Sequence, residues 1–374
     1  MVFRRKYFIF FFLLLAGISE LKAESFKIRN DTSAWIVSRK AKNVILLIGD
    51  GMGVAQIYSG LTANHGKLNF EQFKFIGFSK TYSASNYITD SGAGATALST
   101  GKKTKNGYIG VDTAGKPLKT LLEIAEDNKM STGLVATSSI THATPASFIA
   151  HCADRNDYES IANDFLKTDI DVFIGGGKNN FNKRKDGKDL IGELKKKGYT
   201  VTDTITDFVN LKTKRLAGFT AKGHNPSILN GRGEMLPVAS NVAIDILSQN
   251  KTGFFLMIEG SQIDWGGHDN NTDYITSELI DFDKVIGQVL DFARKDKNTL
   301  VIVTADHETG GMAISGGDIK NGNVVAKFST KDHTGVMVPV FAFGPGAEEF
   351  MGIYENNEIF FKIIQALGLE NLAE

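Results

Sequence analysis

A hydroxyl stands at the head of a run of small residues in Thr89-Asp90-Ser91-Gly92-Ala93-Gly94-Ala95-Thr96-Ala97-Leu98. The run reads as the start of a helix, where unpaired backbone N–H groups favour a docked anion or a deprotonated oxygen. Ser91 is therefore a candidate nucleophile, and the plainer role open to Thr89, Asp90 or Ser91 is to cap the helix. Carboxylates and imidazoles recur beside apolar runs elsewhere. Asp50 follows Asn43-Val44-Ile45-Leu46-Leu47-Ile48, and His142 with Thr144 follows residues 132–137. Glu259, Asp264 and His268 follow Phe254-Phe255-Leu256-Met257-Ile258, Asp306 and His307 follow Leu300-Val301-Ile302-Val303, and His333 stands just before residues 338–343. Imidazole with carboxylate is the ligand mixture zinc prefers, and Thr144 and Glu259 add the hard oxygens that magnesium accepts. Two metals about 4 Å apart suit an in-line displacement at phosphorus, and a serine bound to one of them would be activated.

The elements that would position these residues follow from the apolar pattern. Continuous β-branched and aliphatic runs mark strands buried on both faces, hence a parallel sheet. They alternate with helical stretches at 54–65, 117–128, 157–166, 236–247, 274–293 and 359–367. In the long one, Leu279, Phe282, Ile286, Val289 and Phe292 share a face, with Asp281, Asp283 and Lys284 off it. This order predicts a doubly wound, three-layer α/β/α sandwich with a mostly parallel central sheet. Such a sheet gathers its ligands at the carboxyl ends of the strands, so the polar loops converge. Gly49-Asp50-Gly51-Met52-Gly53 does not meet the dinucleotide-loop spacing. Residues 178–233 are polar with short elements and read as a peripheral insertion.

The 374-residue chain, 42% apolar, is globular and large enough for a substantial core. Arg4, Arg5 and Lys6 before the apolar run 7–18, then Leu21-Lys22-Ala23, make residues 1–23 a signal peptide and 24–374 the exported domain. The leader holds four of the positive residues against Glu20, so a chain of formal charge zero leaves a mature part at −3. Nothing in that balance points to nucleic acid. The single cysteine, Cys152, excludes an intrachain disulfide and reads as a small buried residue. His65, His151 and His224 match no motif and are read as ordinary.

Gly49-Asp50-Gly51-Met52-Gly53, Thr89-Asp90-Ser91, His142-Ala143-Thr144-Pro145, Glu259-Gly260-Ser261-Gln262-Ile263-Asp264, Thr304-Ala305-Asp306-His307 and His333-Thr334-Gly335 together resemble the alkaline phosphatase family. The resemblance covers nearly all of the mature chain, with the motifs in family order. It implies hydrolysis of small phosphate monoesters to alcohol and phosphate through a phosphoserine at Ser91, with two zinc ions and one magnesium. Asp264, His268 and His333 would hold one zinc, and Asp306, His307 and Asp50 the other, with Ser91 facing it. Asp50, Thr144 and Glu259 would hold magnesium, with His142 in its shell. Arg155 matches the family's phosphate-binding arginine, whose guanidinium can clamp two oxygens. His142 and Trp265 stand where many bacterial members have Asp and Lys, a pairing similar to that of certain other bacterial members. Trp265 would then line the substrate site, as packing or as a cover. The resemblance also points to a homodimer, without a membrane anchor after cleavage, in the periplasm of a Gram-negative source or otherwise secreted. The rivals are a phosphodiesterase of the same superfamily and a non-catalytic exported zinc- or phosphate-binding protein.

Overall fold

The apolar runs form strands whose burial accounts for their composition. The structure, a computed structural model, describes residues 40–208 and 211–369, so the expected leader lies outside the described residues. In chain order come β1 (Asn43–Gly49), β2 (Phe75–Lys80), β3 (Ser131–Ser139), β4 (Val172–Gly176), β5 (Thr200–Thr202), β6 (Leu216–Phe219), β7 (Phe254–Gly260) and β8 (Thr299–Thr304). Next, β9 (Glu308–Thr309), β10 (Met312–Asp318), β11 (Asn323–Phe328) and β12 (His333–Thr334) build two small antiparallel ribbons, β10 on β11 and β9 on β12. Finally β13 (Val338–Phe343) and β14 (Gly352–Glu355) return to the main sheet. That sheet runs β14-β2-β13-β8-β1-β7-β3-β4-β6-β5, parallel throughout except at β13.

Successive side chains of a strand point to opposite faces. Val44, Leu46 and Ile48 accordingly enter one core with the helices Ser91–Thr100, Leu121–Asp127 and Glu358–Leu367, while Ile45 and Leu47 enter the other with Met235–Leu247 and Thr272–Asp296. The expected three-layer sandwich results. Leu46 is wholly buried, so truncating it to alanine would cost about 2–5 kcal/mol.

Three departures from the sequence pattern matter. Residues 178–233, read as a peripheral insertion with short elements, supply β5 and β6 at one edge of the main sheet. Asp281 and Asp283, expected off the apolar face of the long helix, are buried. Arg232 pairs with Asp281, and the backbone N–H groups of Asn69 and Phe70 donate to Asp283. Cys152, expected to be buried, is half-exposed.

The register decides what meets at the sheet's edge. Ile48 lies level with Glu259 on one side and Thr304 on the other. Asp50 and Asp306, each two residues further on, therefore leave the sheet together beside Glu259. β13 runs the other way, so the residues before it, His333 included, reach the same edge from the opposite chain direction.

Candidate active site

Ser91 opens the helix Ser91–Thr100, whose ten residues are all buried. Their small size has a steric cause: a Cβ on Gly94 would stand 3.1 Å from both the Cβ and the carbonyl oxygen of Asp306. The cap is Asp90, not Ser91. Ala93 N–H donates to Asp90 Oδ1 at 2.9 Å, while Asp90 Oδ2 accepts from Gly107 N–H at 2.9 Å and Arg155 Nη1 at 2.8 Å. One carboxylate thus caps the helix and fixes Arg155, which leaves the Ser91 hydroxyl free for other partners. Its Oγ lies 3.2 Å from His307 Nε2 and 3.5 Å from Asp50 Oδ1.

Three imidazoles share one device. His333 Nδ1 lies 2.8 Å from Thr89 O, His268 Nδ1 lies 2.5 Å from Lys331 O, and His307 Nδ1 lies 3.2 Å from Thr309 Oγ1. Carbonyl oxygens accept only, and the Thr309 hydroxyl already donates to Asp264 Oδ1, so each Nδ1 is the protonated nitrogen. In the neutral ring each Nε2 then turns its lone pair to the site. His268 Nε2 and His333 Nε2 are 3.2 Å apart, and both face Asp264 Oδ1, at 3.4 and 3.6 Å. His307 Nε2 sits 3.3 Å from both Asp50 Oδ1 and Asp306 Oδ2. The ring of His307 stacks on that of His333 at 3.5 Å. Lone pairs repel at these distances unless a proton or a cation lies between them.

Three groups of ligand atoms each lie within 4.8 Å of one another: Asp264, His268 and His333; Asp50, Asp306 and His307; Asp50, His142 and Glu259. Asp50 belongs to two of them. Asp50 Oδ2, Asp306 Oδ2, Glu259 Oε1, His142 Nδ1 and Thr144 Oγ1 are buried without a hydrogen-bond partner, a costly arrangement for a site built only of protein. Protons partly relieve the crowding. Burial, then the charges of Asp306, Asp264 and Glu259, raises Asp50 well above the carboxylate range. Burial pushes Glu259 up to about 8 and, with Asp264, Asp306 up to about 6. The hydrogen bond to Asp264 raises His268 to about 9. Burial would also raise Asp264, but His268, His307 and His333 outweigh it and hold that carboxylate low. Burial, Arg155 and His224 lower His142 to about 3, and burial with His333 lowers His307. Orphaned donors, bare imidazole nitrogens and carboxylates that cannot all ionise together fit divalent cations.

All the metal-ligating residues expected from the sequence come together, as do Ser91 and Arg155. Arg155 is close enough for its charge to act on Asp50, His142 and His307. Trp265 is half-buried and meets the His142 ring edge-on at 6.1 Å. Gly51, at φ +71°, lets the chain pass where a Cβ would stand 2.7 Å from Asp264 Cα. Thr309 and His224 carried no sequence signal of their own, and Asp90 carried one only as a candidate helix cap. Thr309 joins Asp264 to His307, and Asp90 divides its carboxylate between helix and Arg155. His224 packs edge-on against His142 at 5.4 Å and Trp265 at 5.0 Å, with Ser139 N–H donating to its Nδ1.

The family model described as alkaline phosphatase matches residues 41–327. Alkaline phosphatase 3 of Bacillus subtilis (strain 168) is 38% identical, over 87% of this chain and 89% of that protein. The structure of an alkaline phosphatase from the Antarctic bacterium TAB5 is 48% identical with a TM-score of 0.85, covering 88% of this chain and 99% of that one. A mutant of the TAB5 enzyme with magnesium bound in its M3 site is 47% identical with a TM-score of 0.83, over the same shares of the two chains.

Proposed function

The chain belongs to the alkaline phosphatase family and is a metal-dependent enzyme that hydrolyses phosphate monoesters; we propose that it does so through a phosphoserine formed on Ser91. The observation that carries this reading is the division of labour at the helix start. Asp90 caps, and the buried Ser91 Oγ is free to meet His307 Nε2 and Asp50 Oδ1.

In this reading Asp264, His268 and His333 would hold one zinc, Asp50, Asp306 and His307 a second, and Asp50, Glu259 and Thr144 a magnesium with His142 in its shell. Ions held there would supply positive charge to neutralise the phosphoryl oxygens, favour an ionised Ser91 hydroxyl and ease departure of the alcohol oxygen. The chain's own residues do the rest. The Arg155 guanidinium, held by Asp90, binds the oxygens of the phosphoryl group, which is most of what a protein can contribute to a loose transition state. Ser91 Oγ bonds to phosphorus as the bond to the alcohol oxygen breaks. Water then attacks the phosphoserine from the opposite side, phosphate leaves, and the Ser91 oxygen regains its proton. The Thr309 hydroxyl and the carbonyls of Thr89 and Lys331 keep the three imidazoles turned with Nε2 inward. Trp265 lines the substrate side of His142.

The test compares Ser91→Ala with the parent on an aryl phosphate at equal bound metal, alongside the matching diester and sulfate ester. The reading expects loss of monoester turnover by several orders of magnitude in the variant, and a monoester preference in the parent. Unchanged monoester turnover in the variant would overturn it.

We also propose residues 24–374 as the exported catalytic domain, released by cleavage after Ala23 and acting as a homodimer. Among the described residues no helix is long and apolar enough to cross a membrane.

A further inference from the structure

His151 belongs to none of the ligand groups, yet both of its ring nitrogens are engaged. Nδ1 lies 2.7 Å from Gly110 O and Nε2 lies 3.1 Å from Glu123 Oε1. A neutral imidazole carries one N–H, and neither a carbonyl oxygen nor an ionised carboxylate can donate. Only the imidazolium satisfies both contacts together. The charged groups that face it are both acidic. Glu123 lies in the helix Leu121–Asp127, and Asp164, at the end of the helix Tyr158–Asp164, accepts from the backbone N–H of His151 at 3.0 Å. Burial works against the charge, but Glu123, the Gly110 carbonyl and Asp164 outweigh it and raise His151 above the ordinary histidine range.

What this cation fastens is the segment that carries Arg155. Ile109 and Cys152 exchange both backbone hydrogen bonds at 2.8 Å, and Arg155 N–H donates to Gly107 O at 2.8 Å. Gly107 N–H in turn donates to Asp90 Oδ2, the oxygen that also takes Arg155 Nη1. The two segments are pressed backbone to backbone: a Cβ on Gly110, whose φ is +57°, would stand 2.1 Å from Ala150 O. His151 closes one end of this seam and Arg155 the other.

We propose that His151 is a positioning residue for Arg155: as an imidazolium it pins the 151–155 segment to Gly110 and Glu123, and its deprotonation as the pH rises frees one bond and loosens the hold on phosphate. The proposal rests on the reading of Arg155 as the phosphate clamp. Direct contact with substrate is not part of it.

The experiment measures inorganic phosphate as a competitive inhibitor of aryl phosphate hydrolysis by the metal-loaded enzyme from pH 7 to 10.5. The proteins are the parent, His151→Gln, Glu123→Gln and Arg155→Met. Glutamine at 151 is neutral at every pH, so the inhibition constant of that variant should exceed the parent's by about 2- to 30-fold at pH 7. The ratio should fall toward one as the parent loses the imidazolium. In Glu123→Gln the side-chain amide can donate to Nε2 and favours neutral histidine, so its loss of phosphate affinity should come at lower pH than the parent's. This arm stands if the first variant fails to fold. A purely structural role for His151 would give a ratio independent of pH, and that result, or profiles that overlay the parent's, overturns the proposal. Arg155→Met separates the two layers. If it leaves the inhibition constant unchanged, the clamp reading fails; if it weakens phosphate while His151→Gln and Glu123→Gln match the parent, only the positioning role fails.

Discussion

Replacing Arg232 with methionine isolates a deeply buried charge that lies outside the ligand groups. The Arg232, Glu278 and Asp281 side chains are 1%, 1% and 2% exposed. Arg232 donates to both carboxylates, while Ile228 N–H donates to Glu278 at 2.8 Å. Burial already raises both acids even with the guanidinium beside them. Methionine fills most of the volume but strands two carboxylates, and breaking a buried pair this way costs about 3–5 kcal/mol. The unfolding entropy of a domain of roughly 330 residues is about 0.7 kcal/mol per degree, so the melting temperature should fall by about 4–7 °C. The cost depends on pH. Without Arg232 the folded-state pKa values of Glu278 and Asp281 rise further above their unfolded values, so stability is retained at low pH and lost as pH climbs through them. Scanning calorimetry of metal-loaded parent and variant at pH 5.5 and 9, at fixed metal concentration, should show the larger deficit at pH 9. Arg232→Met combined with Glu278→Gln and Asp281→Asn should recover much of it. A single variant within 1 °C of the parent at pH 9, or a deficit equal at both pH values, would refute the reasoning.

Further outcomes follow from the same structure. Thr309→Val removes the acceptor for His307 Nδ1 and should weaken zinc retention about 10- to 100-fold, read by competition with a chromophoric chelator; unaltered retention counts against the assigned tautomer. Chelation should abolish monoester hydrolysis, and zinc with magnesium should restore it; full activity in verified metal-free protein would contradict the account. In that metal-free protein Glu259 near 8 and Asp306 near 6 are raised above their unfolded values, so stability present at low pH is lost as pH rises through 6 to 8. The melting-temperature gap between loaded and stripped enzyme should therefore widen from pH 5 to 9. Glu126, raised to about 7 chiefly by burial, accepts from Thr132 Oγ1 and Asp169 N–H. Glu126→Gln mimics its protonated form and should stabilise by on the order of 1 kcal/mol at pH 9, discounted for partial exposure, and not at pH 4. Equal effects at both pH values would assign the change to packing.

The ends of β1, β3, β7 and β8 were legible because a strand buried on both faces must be apolar, so an Asp or Glu where it stops stands out. His333 was visible only as a residue before a strand. The reversed direction of β13 explains why it reaches the same edge, and no periodicity reveals direction. The sorting of ligands into groups came from the resemblance, since register and loop path decide which atoms come within 4.8 Å. β5 is three residues with two threonines, and β10 is mostly exposed, so neither carries the apolar run that betrays a buried strand. Thr309, His224 and His151 act through orientation of a ring or hydroxyl, which spacing does not encode. Asp90 was among the residues expected to cap the helix, but its second oxygen's hold on Arg155 spans 65 positions.

The central claim is that Ser91 itself becomes phosphorylated during turnover. Acid quenching of metal-loaded enzyme mixed with excess substrate, followed by peptide mass spectrometry, tests it most directly. The account predicts one phosphate on Ser91 in the parent and none in Ser91→Ala, whose turnover is lost. Turnover without a trapped phosphoserine, persisting in Ser91→Ala, would contradict it.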